Sequence, residues 1–256
     1  MKLLIAGDWH GEPKHATKMV REAKKAGVKR ILQLGDFGLW DHLEDGVRFL
    51  DVLNSECRKE GVIVYALGGN HENWTHWNWY VDNMPKDENG FAYLRSHILL
   101  APKIHYFRWN GKTWLIVGGA VSVDRDLRVT GVDWWPDEIT PFRWYAHVND
   151  VKVDYLLTHD CSNKTPWKGR LKPDLLSQEN REKIDGVLKK SRPNWHFHGH
   201  MHAQYAWENL VADNHYTKTI GLDMNGTMMS WGILDTEAGE FLFRNKFPVQ
   251  WNGLGT

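Results

Sequence analysis

Cysteine is nearly absent. The two in 256 residues, Cys57 and Cys161, stand alone, which excludes a disulfide framework, and neither belongs to a Cys-x-x-Cys pair of the kind found in structural zinc or dithiol redox sites. Excess charge is missing too. Thirty-two lysines and arginines balance 32 aspartates and glutamates, so the chain lacks the overall electrostatic footprint of a protein that grips long nucleic acid by its phosphates. No stable DNA binding is expected. The opening MKLLIAGDWHG offers one lysine and a short apolar run before Asp8, too little for a signal-peptide core or a membrane span. With no repeat, low-complexity stretch or credible linker, these absences predict a cytoplasmic protein with reduced thiols, no membrane partner and one domain over residues 1–256. They leave the oligomeric state open.

Apolar runs bounded by Gly, Asp, Asn or His recur along the chain: KLLIAGD (2–8), RILQLGD (30–36), VIVYALGGN (62–70), WLIVGGA (114–120), DYLLTHD (154–160) and WHFHGH (195–200). Each reads as a strand covered on both faces that delivers a polar residue at its carboxyl end. Helical spacing lies between the early ones. Ala16, Met19, Val20 and Ala23 form one stripe in residues 15–27, and Leu43, Val47, Leu50, Leu53 and Cys57 form another in residues 41–61. Asn110-Gly111 predicts a tight hairpin within residues 104–117. A further helix is expected near 174–190, on Leu176, Ile184, Val187 and Leu188, with closing strands near 216–222, 227–235 and 240–246. The early β-α-β-α-β order predicts an α/β fold whose parallel strands place their ligand-bearing loops on one edge.

Tryptophan is abundant, at 15 residues, with clusters in NWTHWNWY (73–80) and VDWWPDEITPFRWY (132–145). Aromatic-rich insertions are expected at about 73–100 and 124–150. Their rings are expected either to anchor the core or to roof a cleft, with Trp134, Trp135 and Trp74 to Tyr80 as the roof.

The strand ends carry an ordered set: Asp8 and His10 in GDWHG, Asp36 in GDFG, Asn70 and His71 in GNHE, His159 in THD, and His200 and His202 in GHMH. Each fragment alone is weak, and four alternating histidines in WHFHGHMH would make a poor metal cage without partners from elsewhere. Jointly, in this order and each after an apolar run, they resemble the calcineurin-like metallophosphoesterase superfamily, in its small bacterial and bacteriophage form. That resemblance implies a four-layer α-β-β-α sandwich and a site for two divalent ions. It also implies that Asp8, His10 and His202 hold one cation, that Asn70, His159 and His200 hold the other, and that Asp36 bridges them. His71 is then no ligand but the proton donor above the scissile group. Mixed carboxylate, amide and imidazole donors suit Mn²⁺ first, with Fe, Zn, Ni or Mg as alternatives. Two such ions roughly 3.5–4 Å apart can share a hydroxide that attacks phosphorus in line.

Other residues are weighed beside that set. Glu72 and Asp160 adjoin it and are expected to orient His71 or His159, or to cap loops. If the strand stays extended through residue 202, His198 shares a face with His200 and His202 and can orient a ligand, whereas the alternative is an ordinary packed histidine. Arg125 and Arg128 in GGAVSVDRDLR are candidates for phosphate contact or for surface ion pairs. Members that act on phosphoproteins extend the second fragment with arginine, and GDFGLWDHLE has none. The expectation is therefore a hydrolase for a small phosphoester, chiefly a nucleotide-like phosphodiester with cyclic nucleotides among the candidates. A phosphomonoesterase, a Ser/Thr-type protein phosphatase and a non-catalytic metal-binding scaffold are the alternatives.

Overall fold

Leucine-, isoleucine- and valine-rich runs become the strands of two sheets in the computed structural model, which describes residues 1–139, 148–165 and 174–251. The first sheet contains β1 (Lys2–Ala6), β2 (Arg30–Gln33), β3 (Ile63–Ala66), β4 (Ala92–Arg95), β5 (Ile98–Leu100), β12 (Trp231–Asp235), β13 (Glu240–Phe243) and β14 (Phe247–Pro248). Its eight strands run in the order β14-β13-β12-β1-β2-β3-β5-β4. The second is built from β6 (Ile104–Trp109), β7 (Lys112–Val117), β8 (Tyr155–Thr158), β9 (Trp195–His198), β10 (Tyr205–Ala212) and β11 (His215–Gly221). Its six strands run β10-β11-β9-β8-β7-β6. Strands β1, β2, β3 and β5 are parallel, as are β7, β8, β9 and β11.

The two-residue period of a strand sorts the core into layers. On β1, Leu4 and Ala6 face α1 (Pro13–Lys25), α2 (Glu44–Glu60) and α3 (Trp74–Asn83), while Leu3 and Ile5 face the other sheet. On the six-stranded sheet, Ile116 and Leu157 point into the gap between sheets, and Leu115 and Leu156 pack on Ile184, Val187 and Leu188 of α4 (Leu175–Ser191). The result is the four-layer α-β-β-α sandwich. Asn110 and Gly111 both take positive φ, 51° and 72°, and close the β6–β7 hairpin as their types predict.

Several expectations need correction. Leu43, which precedes α2, and Val47 on its outer side are exposed, at 51% and 38%, while Gly46 and Phe49 are buried. Residues 73–100, expected as an insertion, supply α3 and also β4 and β5, which are strands of the eight-stranded sheet. Trp74, Trp77 and Trp135 are core residues rather than a roof, because they are buried in the apolar cluster between the helices and the eight-stranded sheet. Of the 124–150 segment, residues 140–147 lie outside the described residues. The strand expected from 227 begins only at Trp231, after a turn in which Thr227 bonds back to Met224. No helix among the described residues is long and apolar enough to cross a membrane.

Candidate metal centre

Each polar residue picked out in the sequence follows a parallel strand, and the carboxyl ends of both sheets meet at one place. Asp8 and His10 follow β1, Asp36 follows β2, Asn70 and His71 follow β3, His159 follows β8, and His200 and His202 follow β9. The loops are stitched to one another. Trp9 and His10 donate backbone N–H groups to Asp36 O at 3.0 and 2.7 Å, His71 N–H reaches Asp36 Oδ1 at 2.9 Å, and His200 N–H lies 3.2 Å from both Asp8 oxygens. Such turns demand unusual backbone. His10, Asp36, His200 and His202 have φ of 47°, 50°, 64° and 47°, in the left-handed region that costs a non-glycine residue on the order of 1 kcal/mol or more. At Gly69 the approach is so close that a Cβ would collide with both the backbone nitrogen and Oδ1 of Asp36.

The side chains fall into two groups that share Asp36: Asp8, His10, Asp36 and His202, with ligand-type atoms within 4.8 Å of one another, and Asp36, His159 and His200. His202 Nε2 lies 3.1 Å from Asp8 Oδ2, His10 Nε2 lies 3.3 Å from Asp36 Oδ2, and His159 Nε2 lies 3.2 Å from Asp36 Oδ1. Asn70 Oδ1 joins the second group, 3.0 Å from His159 Nε2. Buried Asp36 Oδ2 has no partner in hydrogen-bonding geometry among the described residues, which fits an atom built to meet a cation. The imidazoles fit as well. His159 Nδ1 donates to Leu34 O at 2.7 Å and His10 Nδ1 donates to Asn225 Oδ1 at 2.8 Å, so each turns Nε2 toward the carboxylates. Burial works against a charged imidazole at both positions, yet the carboxylate of Asp36, aided by Asp8, lifts His10 to about 9 and His159 to about 10. Desolvation likewise opposes charge on Asp36, but the facing histidines, His159 first, hold its carboxyl well below the usual carboxylate range. A field that favours a proton so strongly also favours a divalent ion.

The family model for calcineurin-like phosphoesterases matches residues 1–204, most of the chain and the whole of this cluster. The chain belongs to that family. It is a metal-dependent phosphoesterase, hence a hydrolase, and the family implies a dinuclear divalent centre. The protein TT1561 of Thermus thermophilus superposes with a TM-score of 0.56 at 13% identity, over 94% of this chain and 96% of that one. A dimetal phosphatase from Danio rerio gives 0.57 at 12% identity, over 95% and 97%. At these identities the likeness concerns the fold. No curated relative matches the sequence.

Around the phosphoesterase centre, the neighbouring candidates divide. Arg128 reaches it: its guanidinium nitrogens lie 2.7 Å from His71 Nδ1 and 3.3 Å from His71 Nε2, and 2.8 Å from Asp124 Oδ2. Arg125 does not, being paired with Asp174 Oδ2 at 2.5 Å and with Ser122 O. Glu72 turns away from His71 and accepts the backbone N–H groups of Phe37, Gly38, Leu39 and Gly69. Asp160 leaves His159 alone and accepts from Asn180 Nδ2 and Cys161 N–H. His198 does not orient a candidate ligand side chain. Strand β9 ends at His198, so the expected extension to residue 202 fails, and the ring bonds Gly199 O and Tyr205 Oη instead.

Three contributors escape the sequence. Asn225 orients His10 from the turn before β12, Ser122 accepts Asn70 Nδ2–H at 3.0 Å, and buried Glu138 accepts from Ser122. Each is a lone polar residue in a loop with no flanking pattern. Only the small-residue run GGAVS after β7 marks a strand end like those that carry the ligands.

Proposed function

We propose that this phosphoesterase hydrolyses a phosphodiester with a nucleotide-like leaving group, cyclic nucleotides among them, and works with manganese. In this reading Asp8, His10 and His202 hold one cation, Asn70, His159 and His200 the other, and Asp36 both. When bound, the two ions supply Lewis acidity, neutralising phosphate oxygens and acidifying a water molecule. Donors of oxygen and imidazole nitrogen, with no thiolate, suit Mn²⁺. Ligand candidates from both halves of the chain meet in one cluster, which also favours a single catalytic domain. The cytoplasmic expectation stands beside it.

The chain's own part falls to His71. A guanidinium carries donors only, and Arg128 stands closer to Nδ1 (2.7 Å) than to Nε2 (3.3 Å), so in this reading Nδ1 is the acceptor and the ring proton sits on Nε2. Nε2 faces the cluster, 4.0 Å from Asp36 Oδ2. Burial lowers the His71 pKa, Asp36 opposes and Arg128 adds to the lowering, which favours the neutral ring, and in this reading its Nε2–H is the proton offered to a leaving alkoxide.

Charge is the observation that carries the diester assignment. Among the described residues, Arg128 is the one guanidinium that reaches His71, and Asp124 already pairs with it. A diester presents one negative charge to the two ions, whereas a monoester dianion presents two and gains more from a further unpaired cation. Comparing bis(p-nitrophenyl) phosphate with p-nitrophenyl phosphate, with Mn²⁺ and with chelator, tests this. The expected result is a kcat/KM about tenfold or more higher on the diester, equivalent to about 1.4 kcal/mol in the transition state, and abolished by chelation. A preference for the monoester overturns the substrate assignment.

A further inference from the structure

Asn70 is the one amide among the ligand candidates, and an amide can face a cation in two ways. With Oδ1 inward it donates electron density, and with Nδ2 inward it presents two protons to a positive ion and repels it. Something must set the choice. Here Asn70 Nδ2 is directed at Ser122 Oγ, 3.0 Å away, and Oδ1 is turned toward His159. Ser122 has a fixed polarity of its own. Its backbone N–H and its hydroxyl both reach the Glu138 carboxylate, at 2.6 and 2.8 Å. Burial pushes the Glu138 carboxyl up to about 7, with the Ser122 donors opposing; once ionised it only accepts, so the single hydroxyl proton points to Glu138, and Ser122 Oγ has only lone pairs left for Asn70. The amide must then answer with its N–H.

Glu138 is held firmly enough to impose this. It is 0% exposed and closes the 3-10 turn Pro136–Glu138. Lys103, itself buried beneath the Trp74 ring at 4.1 Å, donates from Nζ to the carbonyls of Asp137 and Ile139 on either side. Gly119 abuts the same turn so closely that a Cβ there would collide with the Glu138 carbonyl oxygen.

We propose that Glu138 and Ser122 are positioning residues for the second cation site: a carboxylate, hydroxyl and amide in series that fix the Asn70 oxygen toward the ion shared with His159, His200 and Asp36. This rests on the two-cation reading above. The metal-stripped full chain is titrated with Mn²⁺ by calorimetry, while EPR distinguishes an isolated Mn²⁺ from a spin-coupled pair. Ser122→Ala and Glu138→Gln are expected to bind the first Mn²⁺ within about twofold of wild type and the second roughly 10- to 100-fold more weakly, so that the coupled spectrum appears only at higher Mn²⁺. Because both act through one series, the double variant is expected to lose no more than the worse single variant. Unchanged affinity at the second site in both single variants overturns the inference, as does equal weakening of both sites. A wild-type chain that takes up only one Mn²⁺ overturns the two-cation reading itself, and the inference with it.

Discussion

Glu72 shows how far a residue's neighbours in sequence can mislead. It follows His71 directly, yet its carboxylate gathers four backbone N–H groups from the loops after β2 and β3 and makes one unit of them. Burial pushes its carboxyl up to about 7, nearby Asp36 adds to that, and the donated N–H groups oppose. Replacing one oxygen by NH₂ sets a donor against donors. Glu72→Gln is therefore expected to cost about 2–4 kcal/mol in urea unfolding measured in chelator, since hydrogen bonds to a buried charge and the groups left unpaired both enter. A variant as stable as wild type would contradict this role. The legible residues are those where an apolar run ends in a turn, as at Asp8 and Asp36. Ser122, Glu138 and Asn225 are not, because a single loop residue reveals its partner only once the chain has folded.

Helix α2 makes the same point for an element. Its existence and length follow from periodicity, but two apolar faces overlap on Leu50, Leu53 and Cys57, and spacing does not choose between them. Contact with the preceding loop does. Gly46 lies against Trp40, where a Cβ would collide with the backbone carbonyl, so this face turns inward with Phe49 and leaves Val47 outside. Val47→Ala is expected to change stability by no more than about 0.5 kcal/mol, and Phe49→Ala to cost about 3–5 kcal/mol, both from urea denaturation. Comparable losses would place Val47 in the core. Strand β9 is legible to its last residue, whereas its expected continuation ignores Gly199, where a Cβ would strike Asp8 Oδ1. Short β4 and β5, beyond the tryptophan cluster of α3, escape notice because their few residues give no long alternation.

For the whole molecule, the parallel strand order is legible from β-α-β alternation, but the pairing of two separate sheets follows only from the resemblance. Ligand candidates come from both sheets: Asp8, Asp36 and Asn70 from one, His159, His200 and His202 from the other. An ion held between them acts on the native state alone. At free Mn²⁺ a hundredfold above Kd, each site is expected to add about 2.7 kcal/mol to stability, read as a higher thermal midpoint that chelator removes. A midpoint indifferent to chelator would contradict a cluster that bridges the sheets.

Strand β1 pairs with β12 along its whole length, Lys2 opposite Asp235 through Ala6 opposite Trp231, and His10 leans on Asn225. Such distant partners delay assembly. On the ribosome, Asp8, Asp36 and Asn70 emerge long before the residues that complete their surroundings, so a nascent chain carries these polar side chains without their partners. The pairing that braces β1 is therefore complete only after synthesis has passed residue 235.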